Sequence, residues 1–157
     1  MKILNLTQEH ITVANTVAKK IKDSKDFTRN WNVDNIAVGL LGEMAYAEMT
    51  GNKVCTEVWA DKCDGGIDFE DGTDVKTITW TGPNPELKMS RLPQKTKRKK
   101  LVLAVCDYKN DPTTVRLIGE ISVDNFKLKA RLKTYGEKSW YAVTEQDLDT
   151  LYGETPC

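Results

Sequence analysis

Asp68, Asp74 and Lys76 lie within the segment GGIDFEDGTDVKT, and their types and spacing suit chemistry on a phosphate group. Side chains two residues apart in a strand point to the same face of a sheet, so Asp74 and Lys76 share one face. Whether Asp68 joins them depends on the length of the turn before Asp74. The segment therefore predicts two carboxylates and one ammonium on adjacent strands.

The turn contains Asp71-Gly72, a strong hairpin signal. A two-residue turn places Asp68 opposite Val75, on the wrong face, whereas a three-residue turn over residues 71–73 places it opposite Lys76. We expect the three-residue turn, because it also leaves the apolar residues of both strands together on the opposite face.

Carboxylates grouped on one face repel each other and raise each other's pKa, so a compensating charge is needed. Two strand carboxylates and a strand carbonyl, that of Val75, would bind Mg²⁺ and leave positions for water and a phosphate oxygen. Such a cation acidifies its bound water, while the Lys76 ammonium orients the nucleophile or stabilises the developing charge. These residue types therefore predict metal-assisted phosphoryl chemistry.

The length and composition of the chain exclude several classes of protein and of catalysis. Its 157 residues are enough for a single domain, and no apolar run approaches the roughly 18 residues of a membrane span. The first ten residues turn polar too early for a signal peptide, so a cytoplasmic location is expected. His10 is the only histidine, which disfavours Ser-His-Asp and Cys-His catalysis, and the four cysteines form no CxxC pair. Cys106 is expected in the core.

Basic residues are concentrated in one stretch, although Lys+Arg and Asp+Glu both total 23 over the chain. Residues 88–100 contain seven basic side chains and no acidic one, a pattern that favours phosphate binding. They are Lys88, Arg91, Lys95, Lys97, Arg98, Lys99 and Lys100. Next to an acidic metal site, this stretch predicts nucleic-acid binding.

A second mixed cluster follows towards the carboxyl end of the chain. It comprises Lys127, Lys129, Arg131 and Lys133, with Tyr135, Trp140 and Tyr141 nearby. The mixture fits contact with a groove or stacking on unpaired bases, and aromatic packing into the core is an equal alternative. Trp31, Trp59 and Trp80 are expected to pack in the interior.

Hydrophobic periodicity predicts the elements that position these residues. Thr7 caps a helix over residues 8–23, and Asn32 or Asp34 caps a more apolar helix over residues 33–50 that stops at Gly51. Strands are predicted at residues 53–60, 66–70, 73–80, 101–108 and 114–122. Residues 81–100 are predicted as a long loop or a loop with a short helix, and residues 144–152 as a short helix. This order predicts an α/β or α+β domain with a mixed sheet and flanking helices.

With these motifs, the chain resembles the PD-(D/E)XK nuclease superfamily over about residues 33–125. GLLGEMAYAEMTG is similar to the first core helix of that superfamily and offers Glu43, GGID offers Asp68, and DVKT offers Asp74 and Lys76. Gly65-Gly66-Ile67 stands where the family name has proline. The resemblance implies a restriction-endonuclease-like core. Glu43 also lies mid-helix among apolar residues, where an unpaired charge is costly.

The resemblance also implies a function and partners. The expected activity is Mg²⁺-dependent DNA cleavage, with Mn²⁺ as a possible substitute, by a phage or mobile-element type of enzyme that could act as a homodimer. One alternative is a nucleic-acid-binding protein that keeps the fold without catalysis. Another is an interaction protein stabilised by Ca²⁺ in the Asp- and Gly-rich segment 61–74, although that segment lacks EF-hand spacing.

Overall fold

The computed structural model describes residues 1–23, 32–52, 69–93 and 98–151. The helices of this part are α1 (Gln8–Asp23), α2 (Val33–Thr50) and α3 (Val123–Lys129). Its strands are β1 (Lys2–Asn5), β2 (Thr73–Ile78), β3 (Glu86–Met89), β4 (Lys100–Cys106), β5 (Thr114–Ser122), β6 (Arg131–Tyr135) and β7 (Lys138–Thr144). A short 3-10 turn, Glu145–Asp147, follows β7.

Two sheets are present in the described residues, and they differ in strand direction. The main sheet has the order β1-β5-β4-β2, in which β2 runs parallel to β4 and the other pairs are antiparallel. The smaller sheet has the order β3-β7-β6 and is wholly antiparallel. The predicted fold class, a mixed α/β domain with flanking helices, is confirmed.

The helices begin and end where local chemistry satisfies their free backbone groups. Asn32 caps α2, because its side chain accepts a hydrogen bond from the Asn35 backbone at 2.8 Å. Gly51 ends that helix and donates its N–H to the Ala47 carbonyl. The Thr7 side chain accepts from the His10 backbone at the start of α1. Both predicted helices are confirmed.

The hydrophobic core is divided by the main sheet. One cluster packs α1 and α2 against one side of the sheet and includes Leu41, Val75 and Val102. We call this side the helix face. The second cluster, on the opposite face, joins Leu101 and Leu103 to the smaller sheet and α3. Burial on both sides explains the near-continuous apolar sequence of β4.

Several predicted elements need correction. The loop predicted over residues 81–100 contains β3, and β1, α3, β6 and β7 were not predicted. The closing helix predicted over residues 144–152 is wrong for its described part, because the chain forms only one 3-10 turn and then a β-bridge between Asp149 and Glu120. The strand at 53–60 lies outside the described residues, as do residues 66–68 of the strand at 66–70; Phe69 and Glu70 form a turn.

The aromatic predictions had mixed outcomes. Trp80 was expected in the interior, yet it is 56% exposed, and its Nε1 donates a hydrogen bond to the Pro83 carbonyl at 3.0 Å. Trp31 and Trp59 lie outside the described residues. Cys106 is fully buried, as expected. No helix among the described residues is long and apolar enough to cross a membrane.

Candidate functional site

Strand β2 carries Asp74 and Lys76 on one face and Val75 and Thr77 on the other. Val75 belongs to the helix-face core, and Thr77 lies so close to Gly42 of α2 that an added Cβ there would be 1.8 Å from Thr77 Oγ1. Because alternate residues of a strand point in opposite directions, Asp74 and Lys76 project from the opposite face. The predicted pairing of these two side chains on one face is therefore observed.

Asp74 is the centre of an ion cluster. Its Oδ2 lies 2.9 Å from Lys76 Nζ and 2.8 Å from Arg98 Nε. Asp74 is only 2% exposed, whereas the Lys76 side chain is 37% exposed. Among the described residues Oδ2 has no hydrogen bond of good geometry, so proximity of charge holds the cluster. Within the described residues, one carboxylate and two cations therefore meet at this site.

The turn before β2 brings Arg98 to Asp74. Gly72 has φ +87°, a backbone conformation that glycine adopts at little cost. Its carbonyl accepts hydrogen bonds from the backbone N–H groups of Lys99 at 2.8 Å and Lys100 at 3.3 Å. These bonds join the start of β4 to the start of β2. Arg98, directly before β4, consequently reaches the Asp74 carboxylate.

The three-residue connection begins one residue earlier than expected. Phe69 N–H donates to the Thr73 carbonyl at 3.2 Å, and Gly72 N–H donates to the Phe69 carbonyl at 3.0 Å. The connecting residues are therefore 70–72, and Thr73 opens the strand instead of ending the turn. Phe69 packs on Tyr46 of α2, which anchors the turn to the helix face. Asp68 lies outside the described residues, so its place beside Asp74 stays a prediction.

Glu43 lies on α2 and is 5% exposed. Its neighbour Gly42 meets Thr77, so the helix carries Glu43 past β2. However, α2 packs on the helix face, whereas Asp74 projects from the opposite face. Since β2 is the edge strand of the described sheet, a ligand shared by Glu43 and Asp74 would have to lie beyond that edge. Their convergence also stays a prediction.

A divalent cation needs several oxygen ligands, and the described residues do not supply a complete set. Among residues 1–23, 32–52, 69–93 and 98–151 there is no group of three or more histidine, cysteine, aspartate or glutamate side chains that could hold a metal ion. Asp74 and the Val75 carbonyl lie on the same strand. A site for Mg²⁺ at Asp74 therefore requires Asp68, Glu43 or both to reach it.

The basic residues of the stretch 88–100 have different roles in the fold. Lys88, Arg91 and Lys99 are exposed, and Lys95 and Lys97 lie outside the described residues. Arg98 is bound to Asp74, with a side chain that is only 13% exposed. Lys100 turns to the helix face. The exposed side chains are therefore the ones best placed to bind phosphates.

A second ion cluster, on the helix face, was not predicted. Lys100 Nζ lies 3.0 Å from Glu120 Oε2 and 5.7 Å from the centre of the Tyr46 ring. Burial lowers the pKa of Lys100, but its contacts with Tyr46 and Glu120 outweigh that effect, so the pKa lies above its usual value. Only the pairing of β4 with β5 brings Lys100 near Glu120, and no local sequence signal marks it.

Comparison of the chain with protein-family models, with curated proteins and with solved structures finds no match. The likeness to PD-(D/E)XK nucleases therefore depends on the residue types and their order along the chain. A mixed sheet with flanking helices is shared by proteins of many functions, so the fold class does not choose among them. The ion cluster at Asp74 is the feature from which a function must be argued.

Proposed function

We propose that this protein is a metal-dependent endonuclease of the PD-(D/E)XK type that hydrolyses phosphodiester bonds in DNA. Asp68, Asp74 and Glu43 would be the acidic residues of the site, and Lys76 its ammonium. The proposal includes a cytoplasmic setting, such as the host cell of a phage or mobile element, and a homodimer that cuts both strands.

One observation carries the proposal: the buried Asp74 carboxylate and the half-exposed Lys76 ammonium lie on one strand face, 2.9 Å apart. Burying a carboxylate is costly, and a solvated surface pair would not require it. The exposed share of Lys76 leaves its ammonium accessible to an anion from solution. A site for phosphate hydrolysis needs an acid that can hold a metal and a cation that can contact the phosphate. Asp74 and Lys76 are placed for these two roles.

A metal at this site would be Mg²⁺ or Mn²⁺, held by Asp74, the Val75 carbonyl, Asp68 and Glu43, and it would supply Lewis acidity and an acidified water. Of these groups, the described residues place only the Asp74 carboxylate in the ion cluster. Lys76 and Arg98 would attract a phosphate and offset its charge, because a cation within a few ångströms stabilises an anion in a partly buried site.

The test is nicking of supercoiled plasmid in Mg²⁺ or Mn²⁺ by wild type, Asp74→Asn and Lys76→Ala. Each substitution should lower the initial rate by about a hundredfold or more. The matched control is Asp124→Asn, which removes one carboxylate from the exposed start of α3 and should nick like wild type. Circular dichroism checks that each variant is folded. Equal nicking by all four proteins would refute the proposal, as would activity unaffected by EDTA.

A second function has its own support. Within the described residues, Lys76 and Arg98 lie 2.9 Å and 2.8 Å from the same Asp74 oxygen, and two cations so close together also fit a phosphate-binding protein without catalysis. Such a protein would bind DNA in EDTA and release no nicked plasmid in Mg²⁺ or Mn²⁺. In that case Lys76→Ala would weaken DNA binding, and neither wild type nor the variant would cleave DNA.

A further inference from the structure

The smaller sheet has a basic outer face. Directly opposed residues of neighbouring strands lie on the same side of a sheet. By this register, Lys88 of β3 and Arg131 of β6 flank Ala142 of β7, Lys133 lies opposite Trp140, and Tyr135 lies opposite Lys138. We call this surface, which comprises Lys88, Arg131, Lys133, Tyr135, Lys138 and Trp140, the basic sheet face.

The other side of the smaller sheet is buried at β3 and β7. Leu87 and Val143 alternate with the residues of the basic sheet face and are buried in the second core with Leu101 and Leu103. The basic sheet face therefore points away from the main sheet. Strand β6 is exposed along its whole length, and among the described strands it pairs only with β7.

The charged side chains of the basic sheet face are mainly positive. It carries four cations, and Glu86, which lies on the same side by register, contacts Lys133. Within the described part of the chain, Lys88, Arg131 and Lys138 form no ion pair. Neighbouring rows of a strand are roughly 7 Å apart, so the cations form a line along the sheet. Such a line attracts a polyanion with regularly spaced charges.

Aromatic rings are interleaved with these cations. Tyr135 is 82% exposed, so its ring is open to a ligand from solution. Lys88 Nζ lies 5.2 Å from the centre of the Trp140 ring, so that half-buried indole holds a cation over its face. Exposed aromatic side chains on an open sheet stack on unpaired bases, whereas the bases of a duplex are already stacked on each other.

We infer that the basic sheet face binds single-stranded nucleic acid, with Lys88, Arg131 and Lys138 on its phosphates and Tyr135 stacked on a base. The inference deepens the proposed nuclease function by naming a substrate class, and it rests on that function for its role in the protein. An unpaired strand or a flap next to a duplex would then be the preferred substrate.

The test is fluorescence anisotropy in EDTA, where no cleavage occurs, with a fluorescein-labelled single strand of about twenty thymidines and a duplex of equal length. Wild type should bind the single strand more tightly. Tyr135→Ala should weaken single-strand binding roughly tenfold, and Tyr135→Phe, which keeps the ring, should not. The triple substitution Lys88→Ala, Arg131→Ala, Lys138→Ala should reduce the log-log salt slope by about 2.

The matched control removes three exposed lysines elsewhere, with Lys19→Ala, Lys20→Ala and Lys109→Ala, and should keep the wild-type slope. Equal binding by both triple variants would overturn the inference, as would tighter binding of the duplex that is insensitive to Tyr135→Ala. Binding to phosphatidylserine vesicles without binding to the single strand would also overturn it.

The outcomes separate this inference from the proposed function. Single-strand binding that depends on Tyr135, without any plasmid or flap cleavage in Mg²⁺ or Mn²⁺, would support the basic sheet face and refute the nuclease. Cleavage that depends on Asp74 but not on Tyr135 would support the nuclease and refute the single-strand face.

Discussion

The two faces of the main sheet each bury a carboxylate beside a lysine, but the balance of charge differs. On the helix face, Glu120 has Lys100 as its cation, and Tyr46 lies over that pair. On the opposite face, Asp74 has both Lys76 and Arg98. Lys100 and Glu120 form a balanced pair of one cation and one acid, whereas within the described residues the Asp74 carboxylate lies beside two cations. We therefore propose that the first cluster mainly stabilises the fold and that the second takes part in the proposed phosphate chemistry.

The largest expected difference between the clusters is in catalysis. Asp74→Asn should lower plasmid nicking by about two to three powers of ten, whereas Glu120→Gln should leave the rate within about threefold of wild type. Both rates should be measured at a temperature where circular dichroism shows folded protein. A comparable loss in both variants would remove the distinction between the two clusters.

The close packing of α2 on the helix face of β2 can be tested at Gly42. Gly42→Ala would bring a Cβ to 1.8 Å from Thr77 Oγ1, so α2 or β2 must shift, at a cost of about 3 kcal/mol of unfolding free energy. The matched control is Gly39→Ala in the same helix, where nothing lies within 4 Å of the added Cβ. It should stabilise the protein by about 0.5 to 1 kcal/mol, because alanine favours helix more than glycine does. Urea unfolding measures both; equal effects would contradict the contact with Thr77.

Loss of the balanced pair should affect stability. Glu120→Gln leaves Lys100 without its carboxylate partner, and we expect a loss of about 1 to 2 kcal/mol, reduced by the 30% exposure of the Lys100 side chain. Glu137→Gln, in the exposed turn between β6 and β7, is the control and should change the unfolding free energy by less than about 0.5 kcal/mol. No difference between the two variants would show that the pair contributes little.

The smallest expected effect concerns the thiol of Cys106, which is buried in the core on the helix face. Burial, and then the nearby charges of Asp111 and Asp107, raise the pKa of the Cys106 thiol from 9.0 to about 11. Because the folded pKa is above the unfolded one, this stabilisation is complete below pH 9 and is lost as the pH rises through 11. Between pH 8 and 10 the unfolding free energy of wild type should fall by about 1 kcal/mol more than that of Cys106→Ala. Parallel pH curves for the two proteins would contradict the raised pKa.

The sequence was most informative where a local rule decides the structure. The apolar spacing and caps of α1 and α2, the turn signal at Asp71-Gly72 and the buried pattern of β4 all predicted elements that the structure contains. In the candidate site, the alternation of β2 alone put Asp74 and Lys76 on one face. These features depend on residues close together in the chain, so one sequence is enough to find them.

The missed elements have a different origin. Strand β3 has only four residues, and β7 is exposed at its first two residues and buried only near its end. Strand β6 shows no alternation of burial, so its pattern does not resemble a strand that packs on a core. The turn before β2 was placed one residue late, because Thr73 is drawn into pairing with Lys100. That pairing depends on residues almost thirty positions apart.

By itself, the sequence determined the two long helices, the strands β2, β4 and β5, and the presence of an aspartate and a lysine on one strand face. Only the tertiary structure decided that Arg98 joins Asp74, that Lys100 turns inward to Glu120, and that basic and aromatic residues of three strands form one surface. The reason is physical: helix and strand periodicity follow from local backbone geometry, whereas charge partners are chosen by the register between distant strands.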